Sequence, residues 1–99
     1  ETGSLVSIPY TVELNDIPMM VVQHHKAMEF YDRCMDNFER LLEEGEDSAR
    51  VMAIAVHPYI SGTPFRIKYF EKVLEEISKT NGVVMWTGSQ ILDWYKAKA

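Results

Sequence analysis

The sequence predicts an α/β fold in which parallel strands alternate with helices, and three observations carry that expectation. Three short runs rich in β-branched and aromatic residues, Leu5–Tyr10, Val51–Val56 and Val83–Trp86, are each followed by a helical pattern or a helix start signal. The links between these segments are short, and short-linked alternation implies parallel strands joined by right-handed crossovers. The middle run, Val51-Met52-Ala53-Ile54-Ala55-Val56, is apolar throughout, as a strand covered on both faces reads.

Leu5-Val6-Ser7-Ile8-Pro9-Tyr10 has strand composition, with Pro9 marking its end. Thr11 to Val22 holds the polar centre Glu13-Leu14-Asn15-Asp16 and Pro18, which predicts a loop. From Gln23 to Glu44 the apolar positions Ala27, Tyr31, Cys34, Phe38 and Leu41 step by helical spacing, broadened by Met28, Met35 and Leu42, and Gly45 stands where a C-cap belongs. Thr63-Pro64 has the form of an N-cap followed by proline at the first helical position, where a missing N–H costs nothing. The helix it opens places Ile67, Phe70, Leu74 and Ile77 on one face and pairs Glu75 with Lys79, and Asn81-Gly82 stops it. Thr87 and Gln90 have the spacing of a capping box before a last helix with Ile91, Leu92, Trp94 and Tyr95.

Composition narrows the function classes. The net charge is −5, from 15 acidic against 10 basic residues, and the basic residues are scattered. Nucleic acid is not an expected partner, because phosphate neutralisation needs a clustered cationic surface. No apolar run reaches the roughly 18 residues of a membrane span, so no membrane association is expected. The single cysteine, Cys34, cannot form an internal disulfide and points to a reducing, cytoplasmic compartment. Its place on a helical face predicts a small core residue rather than a reactive thiol. The first residue is Glu1 rather than Met, so the N-terminus carries no targeting information.

In parallel α/β folds the loops leaving the C-terminal strand ends line the ligand site. Three such exits are expected here, Tyr10 to Asp16, His57 to Gly62, and Trp86-Thr87. His57 ends the apolar run, where an imidazole titrating near neutrality can reach a ligand. The bland alternative is that it caps a strand and donates to a carbonyl. Asn15-Asp16 is either a site pair or a turn-former and helix N-cap. His24-His25 is not a chelating pair, since adjacent helical residues diverge by about 100°. Solvated histidines at a helix start are the expectation. The acidic run from Glu39 to Asp47 reads as a solvated helix end, and Met19-Met20 as packing.

The stretches "IPYTVELND", the helix ending "LLEEG", "AVHPYISGTPFRIKYFEKVLEEI" and the closing "VVMWTGSQILDWY" together resemble the C-terminal third of polysaccharide deacetylase-like enzymes, in their allantoinase-like branch. The resemblance spans nearly the whole chain, although Ala55 stands where the wider family has leucine. It implies the C-terminal part of a distorted (β/α) barrel and hydrolysis of carbon–nitrogen amide bonds, such as N-acetyl groups of sugars or cyclic ureides. His57 matches the family histidine that donates a proton or faces the tetrahedral intermediate. Asn15 and Asp16 match a polar pair with a substrate-pocket or loop-positioning role, and Tyr10 and Trp86, at the other strand exits, are expected substrate contacts.

The family's first two motifs, with the base and metal-binding aspartates and the metal-binding histidines, have no counterpart in this chain. The expectation is therefore a partial domain from a longer enzyme, inactive alone, with no metal ligands or cofactor in this segment. The longer enzyme would either hold a divalent metal such as zinc through its missing motifs or resemble the metal-independent allantoinases. A small-molecule or carbohydrate substrate is the expected ligand. Association is expected through an uncovered strand edge, either as a homo-oligomer or with the missing N-terminal part of the barrel. The alternative is a non-catalytic module that binds a ligand or completes another chain's barrel.

Overall fold

Helices make up the regular structure of the chain, and the computed structural model describes residues 3, 5–8 and 10–98. In order these are a π-helical segment Ile17–Val22, then α1 (Ala27–Glu44), α2 (Ile67–Ser78) and α3 (Gly88–Lys98). Among the described residues no strand of a sheet forms, and the extended pairing is confined to one isolated parallel bridge between Asn15 and Ala55. The predicted parallel α/β arrangement, and with it the barrel portion, is thereby corrected.

The physical reason lies in what a strand needs. β-branched residues favour extended backbone, but a strand persists only where neighbouring backbones take up its N–H and C=O groups. Val51–Val56 finds a neighbour at one point: Ala55 N–H donates to the Leu14 carbonyl at 2.9 Å, and Asp16 N–H donates to the Ala55 carbonyl at 3.1 Å. Residues 5–8 and 83–87 form no ladder, and the predicted strand end at Pro9 lies outside the described residues. Among the described residues no ladder forms, so no strand edge of the expected kind is present.

The stretch expected to be a loop contains the π-helical segment. Pro18 sits at its start, where no N–H partner is needed, and Gln23 N–H closes the wide turn on the Pro18 carbonyl at 2.9 Å. Its reason for folding is burial: Met19 is fully inaccessible and Met20 nearly so. The helix expected from Gln23 begins at Ala27 instead, because His24 adopts a left-handed φ of 60° that interrupts any helix there. The Glu29 carboxylate accepts the Lys26 N–H at 2.9 Å and caps the new start. The end at Gly45 falls where the sequence placed it, its N–H bonded to the Leu41 carbonyl at 2.8 Å.

α1 and α2 pack on each other, and the core lies between them, closed by Leu14, Met19 and Ile60. Phe30, Cys34 and Phe38 supply the α1 face, Val73 and Ile77 that of α2. The expected stripe is rotated on α2, where Val73 is fully buried and Leu74 is 37% exposed. The α-helix proper starts at Ile67, three residues after Pro64, since Thr63 spends its hydroxyl on the Ile60 carbonyl (2.8 Å) rather than on helix amides. α3 has the expected capping box: Thr87 N–H donates to Gln90 Oε1 at 2.8 Å and Gln90 N–H to Thr87 Oγ1 at 3.2 Å. It buries none of its residues. No helix among the described residues is long and apolar enough to cross a membrane.

Candidate functional site

The single bridge sets the site. By tying Leu14 and Asp16 to Ala55, it brings Asp16 beside His57, 41 residues further along the chain. Asp16 begins the π-helical segment, yet its side chain caps none of that segment's amides. It turns inward and is 0% exposed. One carboxylate oxygen, Oδ1, lies 2.7 Å from His57 Nδ1. The other, Oδ2, accepts the His57 backbone N–H at 2.8 Å and the Ser61 hydroxyl at 2.9 Å.

The electrostatics follow from these contacts. Burial pushes the Asp16 carboxyl up, while hydrogen bonds from the His57 ring, the His57 N–H and Ser61 favour the ionised form and bring it below its ordinary value of 3.8. An ionised carboxylate only accepts, so the proton between the two groups resides on Nδ1. That assignment leaves Nε2 as the ring's working nitrogen. The His57 side chain is 32% exposed, and among the described residues no hydrogen bond occupies Nε2. Chemically, the arrangement is an imidazole held by a buried carboxylate, competent to shuttle a proton at the surface.

The loop that presents His57 is a tight turn. Ile60 and Ser61 both donate their N–H to the His57 carbonyl at 3.0 Å, and both side chains are buried. Gly62 lies so close to Pro58 that an added Cβ would fall 2.5 Å from the Pro58 carbonyl oxygen. Tyr59 projects outward, 69% exposed, its ring edge-on to His57 with centroids 5.8 Å apart.

The remaining expected site residues divide. Asn15 is buried, its Oδ1 accepting the Ile17 N–H at 3.1 Å and its amide nitrogen 3.4 Å from the hydroxyl of the exposed Tyr10. Asn15 thus does what a turn-former does and also tethers Tyr10. Trp86 is 42% exposed, and among the described residues no hydrogen bond or ring contact joins it to His57. Two shallow depressions, of about 440 Å³ beside Lys68 and Glu75 and about 240 Å³ beneath Tyr10 and Glu13, do not include His57. Ser61 was not among the residues expected from sequence. The available signal was its spacing four residues after His57 in a loop too short to leave a hydroxyl buried without a partner.

Outside this cluster, His24 and His25 precede α1, and His25 Nδ1 pairs with Glu29 at 3.0 Å on the surface. Cys34 is fully buried, and burial pushes its thiol up to about 12. Among the described residues no three His, Cys, Asp or Glu side chains converge to hold a metal ion. Both Asp16 oxygens are engaged by protein donors, so the described residues do not fit a divalent-metal site.

The chain aligns at 34% identity over 96 residues with a protein of Schizosaccharomyces pombe named "Putative polysaccharide deacetylase". The alignment covers 95% of this chain and 30% of that protein, so the chain spans less than a third of the curated relative it matches. No family model matches the chain, and no solved structure matches it.

Proposed function

We propose that the chain carries the proton-donating histidine of a hydrolase that cleaves carbon–nitrogen amide bonds, in N-acetyl groups of sugars or, on the allantoinase-like reading, in cyclic ureides. The observation that carries this reading is the buried Asp16 carboxylate held 2.7 Å from His57 Nδ1. Similarity to a protein named for polysaccharide deacetylation supports the reaction class. In this reading the fold is the helical one described above, and His57 reaches substrate from the surface of that turn.

Amide hydrolysis requires a base to deprotonate water, a group to stabilise the oxyanion, and an acid for the leaving nitrogen. Water oxygen bonds to the carbonyl carbon, its proton passes to the base, and the carbonyl π pair moves to oxygen. When that pair re-forms the C=O bond, the C–N bond breaks and its electrons take a proton from His57 Nε2. Asp16 keeps Nδ1 protonated and stabilises the imidazolium that forms when Nε2 of the partly exposed ring takes a proton from bulk water before donation. The base and the oxyanion group belong, in this proposal, to parts of a longer protein. Asn15 and Tyr10, linked by their hydrogen bond, and Trp86 are proposed substrate contacts.

The test is His57→Ala in a full-length protein carrying this segment, assayed against N-acetylated sugars and cyclic ureides. A loss of kcat of about 10²-fold or more is expected for removal of a general acid. Unchanged turnover on every accepted substrate would refute the role, and the substrate hydrolysed distinguishes the two classes.

A further inference from the structure

We propose that Ser61 is a positioning residue for His57, acting through Asp16 to fix which ring nitrogen carries the proton. The inference rests on the reading of His57 given above and adds a residue to it. A carboxylate is a planar group free to turn about its last bond unless both oxygens are held. In this site Oδ2 is gripped by two donors, the Ser61 hydroxyl at 2.9 Å and the His57 N–H at 2.8 Å, which leaves Oδ1 aimed at Nδ1. Ser61 also donates its own N–H to the His57 carbonyl at 3.0 Å, so one residue closes the turn that carries the histidine and fixes the carboxylate that orients it.

The plain alternative is that a buried hydroxyl has found any available acceptor. Thr63, two residues on, shows what that looks like: its hydroxyl bonds the Ile60 carbonyl within the same turn. Ser61, 2% exposed, instead reaches a carboxylate 45 residues back along the chain. A donor aimed at Oδ2 favours the ionised carboxylate, and an ionised carboxylate accepts but cannot donate, so the neutral imidazole must place its hydrogen on Nδ1 and leave Nε2 bare. The other titratable side chain facing the pair is Tyr59, whose ring lies 5.8 Å from that of His57. Among the described residues no further charged side chain bonds to either group.

The experiment is a two-bond 1H–15N correlation spectrum of the 99-residue chain labelled with 15N-histidine, recorded where the imidazole is neutral. The native chain should show His57 in the Nδ1–H form. Ser61→Ala should bring in the Nε2–H form, and Ser61→Cys, nearly isosteric with a weak donor, should lie between them. If circular dichroism shows that Ser61→Ala does not fold, Ser61→Cys is read alone with the same expectation of an Nε2–H population. A native chain already in the Nε2–H form, or folded variants that keep the native Nδ1–H pattern, would overturn the proposal. Because the spectrum requires no turnover, it can fail while the hydrolytic role of His57 stands, and the activity of His57→Ala can fail while the tautomer result stands.

Discussion

At Asp16 a single atom exchange tests the site's electrostatics. Asp16→Asn keeps the shape but removes the charge: the amide oxygen can still accept from the His57 N–H and Ser61, and the amide NH2 can face Nδ1 only if the ring moves its hydrogen to Nε2, so charge-assisted bonds become neutral ones at a cost of about 1–2 kcal/mol. The sign of the pH dependence is fixed by the direction of the shift. Asp16 is held below its ordinary value of 3.8, so its stabilisation is fully present above that value and is lost as pH falls through the lower folded value. Urea midpoints measured across this range should show native and Asp16→Asn chains converging on acidification, and parallel curves would contradict the assignment. Cys34 makes the opposite case, a titratable group without a site. Burial holds its thiol near 12, so an aromatic disulfide reagent should react with the native chain only as fast as the chain opens. Prompt labelling at neutral pH would show the thiol to be accessible. Cys34 was legible in the sequence as a core residue because helical spacing alone assigns it. The contact between Asp16 and His57 was not, because nothing local joins residues 41 positions apart.

Elements were legible wherever local chemistry decides them. α1 ends at Gly45 as the sequence predicts, although Gly45 keeps a right-handed φ of −68° rather than a glycine cap's left-handed one; the Thr87–Gln90 box opens α3 as the capping rule requires, and Glu75–Lys79 pairs at 3.8 Å on the surface of α2. The strands were not, because composition gives an extended preference and only a neighbour supplies a ladder. Residues 83–86 have the composition without the neighbour. Side-chain size misled on α2, where periodicity chose Leu74 and packing against α1 chose Val73. Val73→Ala should therefore cost more stability than Leu74→Ala, although it removes less hydrocarbon. About 1–2 kcal/mol is expected for emptying the fully buried site, and roughly 0.5 kcal/mol at the exposed one. Chemical denaturation of the two variants reads the order directly, and the reverse order would place the α2 face where periodicity put it. In the His57 turn, Gly62→Ala forces a methyl to 2.5 Å from a backbone oxygen that no side chain can move aside. The turn must shift, with a loss of about 1–3 kcal/mol expected from overpacking and a displaced His57.

The dimensions of the whole chain set how cooperatively it can unfold. Its radius of gyration is 15.2 Å, against about 13 Å for a compact chain of this length, and it extends over 45 × 36 × 20 Å. The difference has identifiable sources: α3 buries nothing, residues 83–87 leave Val84, Met85 and Trp86 accessible, and Leu5 is 95% exposed. The slope of free energy against urea scales with the surface exposed on unfolding, and this chain has less to expose than a compact one. A slope at or below about 1 kcal/mol/M is therefore expected, the low end for small proteins. Helix content by circular dichroism is the better signal, since Trp86 and Trp94 are already 42% and 41% exposed and their emission should change little. A slope well above that value would mean that the chain buries α3 and residues 83–87 in solution, by self-association if the midpoint moves with protein concentration and by internal packing if it does not. The expected shallow transition would locate the cooperative unit in the π-helical segment, α1, α2 and the stretch between α1 and α2, which together hold Asp16 against His57.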